Sequence, residues 1–209
     1  IDEFDFDIAI LFSDILFILE GLGLSLKFDP GPIFAEEINS NNAHKFNDIE
    51  KAISHLEFQK EAIQLTRGKL SNNKSLIGFV GGPYTLLKYA IGKNNKAILQ
   101  NDSFEIDFLK NTLVPLLIKN IELQLQAGAE IVMIFDSGLS DIDPVDFENI
   151  YLEILKNISE KFNNKVGYYA KGLTNNFFTS LIKLNFSGLG CDSTNDLGML
   201  LTKKNKGFI

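Results

Sequence analysis

Five apolar runs recur along the chain, at residues 8–13, 76–80, 131–135, 165–170 and 188–191, and each gives way to small or polar residues before a helical pattern begins. Strands this continuously apolar are expected to be buried on both faces, as in a parallel sheet with helices packed outside it. Two architectures meet that demand, a (β/α) barrel and a doubly wound open sheet. No Gly-x-Gly-x-x-Gly fingerprint opens a helix after the first run, and no Walker-type lysine loop occurs, so nucleotide-binding open sheets lose support. The barrel is the better reading: an α/β chain of the (β/α)8 type, incomplete at about five to six parallel strands. At 209 residues and 45% hydrophobic, residues 1–209 can bury one sizeable core and read as a single, partial barrel domain. The chain opens on Ile1 and stops on Lys206-Gly207-Phe208-Ile209, which reads as the start of another strand; a piece of a longer protein is expected.

The first run carries a carboxylate, Asp14, in otherwise apolar surroundings. Burying an ionised acid without partners costs several kcal/mol, so Asp14 needs hydrogen-bond donors, a cation or an opening to solvent. With the strand ending near Ser13, Asp14 stands at a C-terminal strand edge, where α/β folds build their sites. Asp is also a favoured helix N-cap, and the two readings stay open on this stretch alone.

Charge and cysteine narrow the function classes. A net charge of -7 argues against general nucleic-acid binding and against an anionic membrane surface, since neither would gain from counterion release or attraction. The apolar run around Asp14 is too short to span a bilayer. A single cysteine, Cys191, excludes an internal disulfide and fits a reducing, cytoplasmic setting; without a partner it reads as a small buried apolar residue. Neither His44 nor His55 sits beside a Cys or a second His at metal-ligand spacing, and both read as surface or helix-face residues, so no metal site is expected.

Between the strands, residues 24–28 alternate with the period of a strand and 29–32, Asp-Pro-Gly-Pro, turn the chain back, giving a small hairpin insertion. An amphipathic helix is expected from Asn47 or Asp48 to about Leu70. Gly81-Gly82-Pro83-Tyr84-Thr85 leads into a short helix carrying Tyr89. Residues 103–126 read as helix, divided or kinked by Pro115, which lacks the needed donor. Further helices are expected from about Val145, with Phe147, Ile150, Ile154, Leu155 and Ile158 inward, and over about 175–184.

Taken together, Phe12-Ser13-Asp14-Ile15-Leu16, the 77–85 segment with Tyr89, and Phe135-Asp136-Ser137 resemble, in order and spacing, the central motifs of the uroporphyrinogen decarboxylase family. The hairpin, Lys171-Gly172 and the Gly-Leu-Gly-Cys-Asp segment at 188–192 also sit where that family has counterparts. The resemblance implies a (β/α) barrel working as a cytoplasmic homodimer, a carboxy-lyase that takes the acetate groups of uroporphyrinogen to methyls without a cofactor. It assigns Asp14 to the pyrrole NH groups and the positive charge developing on the ring, and Tyr89 and Ser137 to substrate contacts. Asp136 is expected to support its strand end and Gly81-Gly82-Pro83 to shape the cleft wall. The family's paired-arginine segment and its late histidine have no counterpart here, Arg67 being the only arginine, so this stretch alone is expected to have little or no activity. Two rivals remain: a zinc- or corrinoid-linked methyltransferase of the same superfamily, for which residues 168–171 carry no His or Cys, and a tetrapyrrole binder without turnover.

Overall fold

A computed structural model describes residue 1 and residues 3–95, 97–100 and 102–203. The expected strand start at 206–209 lies outside the described residues. In chain order the elements are β1 (Ile8–Ile10), α1 (Phe17–Gly21), β2 (Leu26–Phe28), β3 (Pro32–Phe34), α2 (Ile49–His55), α3 (Glu57–Lys69), β4 (Ser75–Gly81) and α4 (Pro83–Ala90). Then follow α5 (Phe104–Phe108), α6 (Val114–Ala127), β5 (Ile131–Phe135), α7 (Pro144–Asp146), α8 (Leu152–Phe162), β6 (Val166–Tyr169), α9 (Asn175–Leu181), β7 (Leu189–Gly190) and α10 (Leu197–Lys203).

Five strands form one all-parallel sheet in the order β1-β4-β5-β6-β7, curled as part of a barrel, while β2 and β3 pair antiparallel as a separate hairpin. Each strand follows its predecessor across a helical crossover, which is the (β/α) arrangement that the apolar runs required. Helices cover the convex face, where Val132, Ile134 and Val166 are fully buried against a core that includes Leu116, Leu117, Ile121, Leu155 and Ile158. Truncating any of these leucines to alanine should cost about 2–5 kcal/mol, because little can collapse into the cavity. No helix among the described residues is long and apolar enough to cross a membrane.

The expectation of burial on both faces holds for β4 but not throughout. Along β5, Val132 and Ile134 are buried while Ile131, Met133 and Phe135 are only partly covered, and Ile8 and Ile10 of β1 are exposed. The inner face of the curled sheet is open on that side, so the apolar alternation there faces solvent rather than a second layer.

Three element boundaries also differ from the sequence reading. The first strand ends at Ile10, not near Ser13; its last ladder bond is Leu11 N–H to the Ile77 carbonyl at 3.0 Å. On its other edge β4 continues paired with β5 as far as Gly81, while the chain after Leu11 leaves the ladder with the Phe12 ring set against Phe79. The long helix expected to Leu70 is interrupted at Leu56, which ends α2 and starts α3 with its side chain fully buried. The helix expected over 175–184 stops at Leu181, after which Lys183 and Leu184 close tighter i to i−3 turns. Pro115 behaves as anticipated in a specific way: a π-turn at Leu109–Leu113 widens the backbone just before it, and the proline falls in the first turn of α6, where no donor is missed.

Candidate functional site

The inner face is paved with aromatic rings. Phe12, Phe79, Phe135 and Tyr169 follow one another from the exit of β1 across β4, β5 and β6, with successive ring centroids 5.4, 5.8 and 5.5 Å apart. Glycines make the room. A Cβ on Gly190 would lie 2.8 Å from the Tyr169 ring, and one on Gly167 would overlap the Met133 sulfur, so small residues on β6 and β7 accept large ones from the neighbouring strand. Above this floor lies an open cleft of about 470 Å³ whose wall includes Asp14, Ser13 and Ser137.

Asp14 satisfies both readings that its sequence left open. One carboxylate oxygen accepts the Leu16 N–H at 2.7 Å, turning the chain into α1. The other has no hydrogen-bond partner among the described residues, and the side chain is half-buried at the cleft wall. A carboxylate offers about four lone-pair sites, so most of its acceptor capacity is left unfilled by the described residues, and Asp14 borders both this cleft and a hollow of about 250 Å³ beside Phe17 and Phe58.

Ser137 stands exposed just past the end of β5 and lines the cleft with Asp14. It also lines a second recess of about 340 Å³, which Tyr89 of α4 borders together with Lys88, Lys93 and Asp141. The structure therefore joins Asp14 to Ser137, and Ser137 to Tyr89, across two adjoining hollows on one side of the sheet; Asp14 and Tyr89 do not share a single cavity.

Asp136, one residue before Ser137, is 0% exposed. Its Oδ1 accepts the Thr85 N–H at 2.8 Å and the Thr85 hydroxyl at 2.7 Å, and its Oδ2 accepts the hydroxyls of Tyr168, at 2.7 Å, and Tyr151. Burial pushes this carboxyl up, and the hydroxyls of Tyr151, Tyr168 and Thr85 pull it back. The network also sets the turn that carries Ser137: Gly138 N–H donates to the Thr85 hydroxyl at 2.8 Å, and Tyr84 N–H to the Tyr151 hydroxyl at 3.0 Å. Gly82 exists for this acid, since a Cβ there would overlap the Asp136 side chain, while one on Gly81 would stand 3.0 Å from the Ile15 carbonyl. The double glycine thus packs the strand ends together, which is how it shapes the wall.

The family model described as uroporphyrinogen decarboxylase matches residues 1–207. The chain belongs to the uroporphyrinogen decarboxylase family. Curated uroporphyrinogen decarboxylases from Orientia tsutsugamushi (strain Ikeda) and Campylobacter lari are each 35% identical to it, over 98% and 97% of this chain and 64% and 63% of theirs. That of Francisella tularensis subsp. novicida is 34% identical over 92% of this chain and 59% of its own. The chain thus spans less than two thirds of the length of these relatives. Among solved structures, a methyltransferase from Methanosarcina mazei superposes with a TM-score of 0.74 at 16% identity, covering 88% of this chain and 57% of the other. A B12-independent methionine synthase from Shewanella sp. W3-18-1 gives 0.54 at 12% identity, over 72% and 47%. At those identities the likeness is one of fold, and it agrees with the barrel-type sheet.

In this uroporphyrinogen decarboxylase family chain, sequence reasoning missed the partners of Asp136, namely Thr85, Tyr151 and Tyr168, and it missed Lys88. The signal for the first three was available: an acid closing a fully apolar strand needs donors, the same argument that singled out Asp14. Which donors could not be read, because Tyr151 reaches Asp136 from the end of a π-turn at Phe147–Tyr151 that no periodicity announces. Arg67, expected to lie on the helix before β4, holds the end of α3 there, its guanidinium donating to the carbonyls of Leu70, Ser71 and Lys74 at 2.8–3.1 Å. His55 is on an exposed helix face near Glu20, His44 is exposed, and Cys191 is half-buried rather than buried, packed at the edge of the core.

Proposed function

We propose that the whole protein is a uroporphyrinogen decarboxylase, a carboxy-lyase converting the four acetate groups of uroporphyrinogen III to methyls, giving coproporphyrinogen III and carbon dioxide. The observation that carries this reading is the row of aromatic rings ending beside a carboxylate with free acceptor capacity. A flat, apolar macrocycle fits the floor, and its pyrrole N–H groups supply the donors that Asp14 lacks.

The chemistry follows from that placement. A proton added to a ring carbon makes the pyrrole cationic; the bond from the acetate methylene to its carboxyl carbon then breaks, its electron pair flows into the ring, and carbon dioxide leaves. A second proton, taken up at the exocyclic methylene, gives the methyl group, and release of the first proton from the ring carbon restores the aromatic ring. Asp14, ionised and fixed in a partly dehydrated cleft, stabilises the cation when the ring is protonated. The ring is its own electron sink, so the reading calls for no cofactor. Ser137 and Tyr89 contact the rim of the macrocycle or its carboxylate arms. The same reading carries a cytoplasmic homodimer with uroporphyrinogen as its small-molecule partner.

Incubating the full-length protein with uroporphyrinogen and following coproporphyrinogen by chromatography tests the proposal. Stepwise loss of carboxyl groups is expected; absence of turnover together with tightly bound zinc would instead favour the methyltransferase reading. Residues 1–209 by themselves should show little or no turnover beside the full-length protein, and equal rates would contradict that.

A further inference from the structure

The recess beside the aromatic cleft has a chemistry that the cleft itself lacks. Thr85 and Lys88, three residues apart on α4, face the turn after β5, and a Cβ on Gly138 would stand 3.3 Å from the Thr85 hydroxyl and 3.7 Å from Lys88 Cδ. The lysine stem therefore runs along the wall next to Ser137, and its side chain is only 14% exposed. Its ammonium is paired with Asp141, whose side chain is 61% exposed at the rim. A cation largely withdrawn from water, in a recess that the Thr85 and Tyr89 side chains also line, and paired among the described residues with an acid standing in solvent, is an anion seat with a replaceable counter-ion. Lys93, on the exposed turn after α4, adds a second positive charge to the mouth.

We propose that Lys88 seats one carboxylate arm of the substrate, and that Asp141 is the stand-in that the arm displaces when the macrocycle settles on the aromatic floor. This inference rests on the porphyrinogen reading above and names the side chain that reads the substrate's charge on the Tyr89 side. It assigns specificity to a residue of α4 on the opposite side of Ser137 from Asp14, so that ring and arm are held in adjoining hollows.

The test is a fluorescence titration of the full-length protein with uroporphyrin, which carries the acetate arms, and with coproporphyrin, in which methyls replace them. Lys88→Met keeps the stem and removes the charge; it should weaken uroporphyrin binding about tenfold and make it less sensitive to salt. Asp141→Asn removes the competitor and should tighten binding by about two- to fivefold. Loss confined to uroporphyrin assigns Lys88 to an acetate arm, and equal loss for both porphyrins assigns it to an arm the two share. Binding unchanged in Lys88→Met, or weakened as much in Asp141→Asn as in Lys88→Met, overturns the inference while leaving the decarboxylase reading intact. A wild-type protein that binds neither porphyrin overturns both.

Discussion

Asp14 and Asp136 follow β1 and β5 on the same sheet, yet the two acids are built for opposite purposes. Asp136 is buried completely, and four donors from Thr85, Tyr151 and Tyr168 converge on it. Asp14 is half-buried, takes one N–H from two residues along the chain, and its other oxygen has no hydrogen-bond partner among the described residues. An acid whose acceptor sites are filled by the protein fastens the fold; one whose sites are left empty is available to a ligand. Position at a strand end does not separate the two roles. Acceptor capacity does.

The sharpest way to break this comparison is to delete the buried acid. Asp136→Ala strands two phenols and the Thr85 N–H and hydroxyl in an apolar interior, and should lower stability by about 3–5 kcal/mol in denaturant unfolding, or abolish folding. Removing one donor should do less: Tyr151→Phe leaves Asp136 three partners and the Tyr84 N–H none, at a cost of about 1–3 kcal/mol by the same measurement.

Alkaline titration sharpens the contrast without a mutation. Burial, with the Asp136 charge behind it, pushes the phenols of Tyr151 and Tyr168 well above their usual value, and burial pushes Tyr84 up to about 12. In the unfolded chain each would ionise near about pH 10, so the folded state keeps protons there that the unfolded state releases. The stability these groups contribute is present below about pH 10 and is lost as the pH climbs past it. Ultraviolet absorbance of tyrosinate should show Tyr151 and Tyr168 ionising only as circular dichroism reports unfolding; their ionisation in the folded protein would contradict the packing around Asp136. The smallest effect belongs to the open acid: Asp14→Asn keeps an oxygen for the Leu16 N–H and should change stability by less than about 1 kcal/mol.

The fold was legible to the extent that periodicity carries it. Continuous apolar runs separated by helical patterns revealed β4, β5, β6 and β7 and their parallel pairing, because one face of each strand is buried beneath helices and the other is apolar as well. What escaped was set by contacts between distant segments. The early end of β1 at Ile10 goes with the Phe12 ring turning onto Phe79, and the break at Leu56 with a side chain entering the core. The candidate site was half legible. Asp14, Ser137 and Tyr89 follow from strand ends and motif resemblance, but their division between two hollows, and the Lys88–Asp141 pair bordering one of them, arise from how α4 lies against the turn after β5.

The central claim is that the free oxygen of Asp14 acts on the substrate rather than on the fold. In the full-length protein, the rate of coproporphyrinogen formation by Asp14→Asn relative to wild type, with porphyrin binding measured in parallel, tests it most directly. The account predicts a rate lower by about 100-fold or more with binding retained within about tenfold. A variant decarboxylating at the wild-type rate would contradict it.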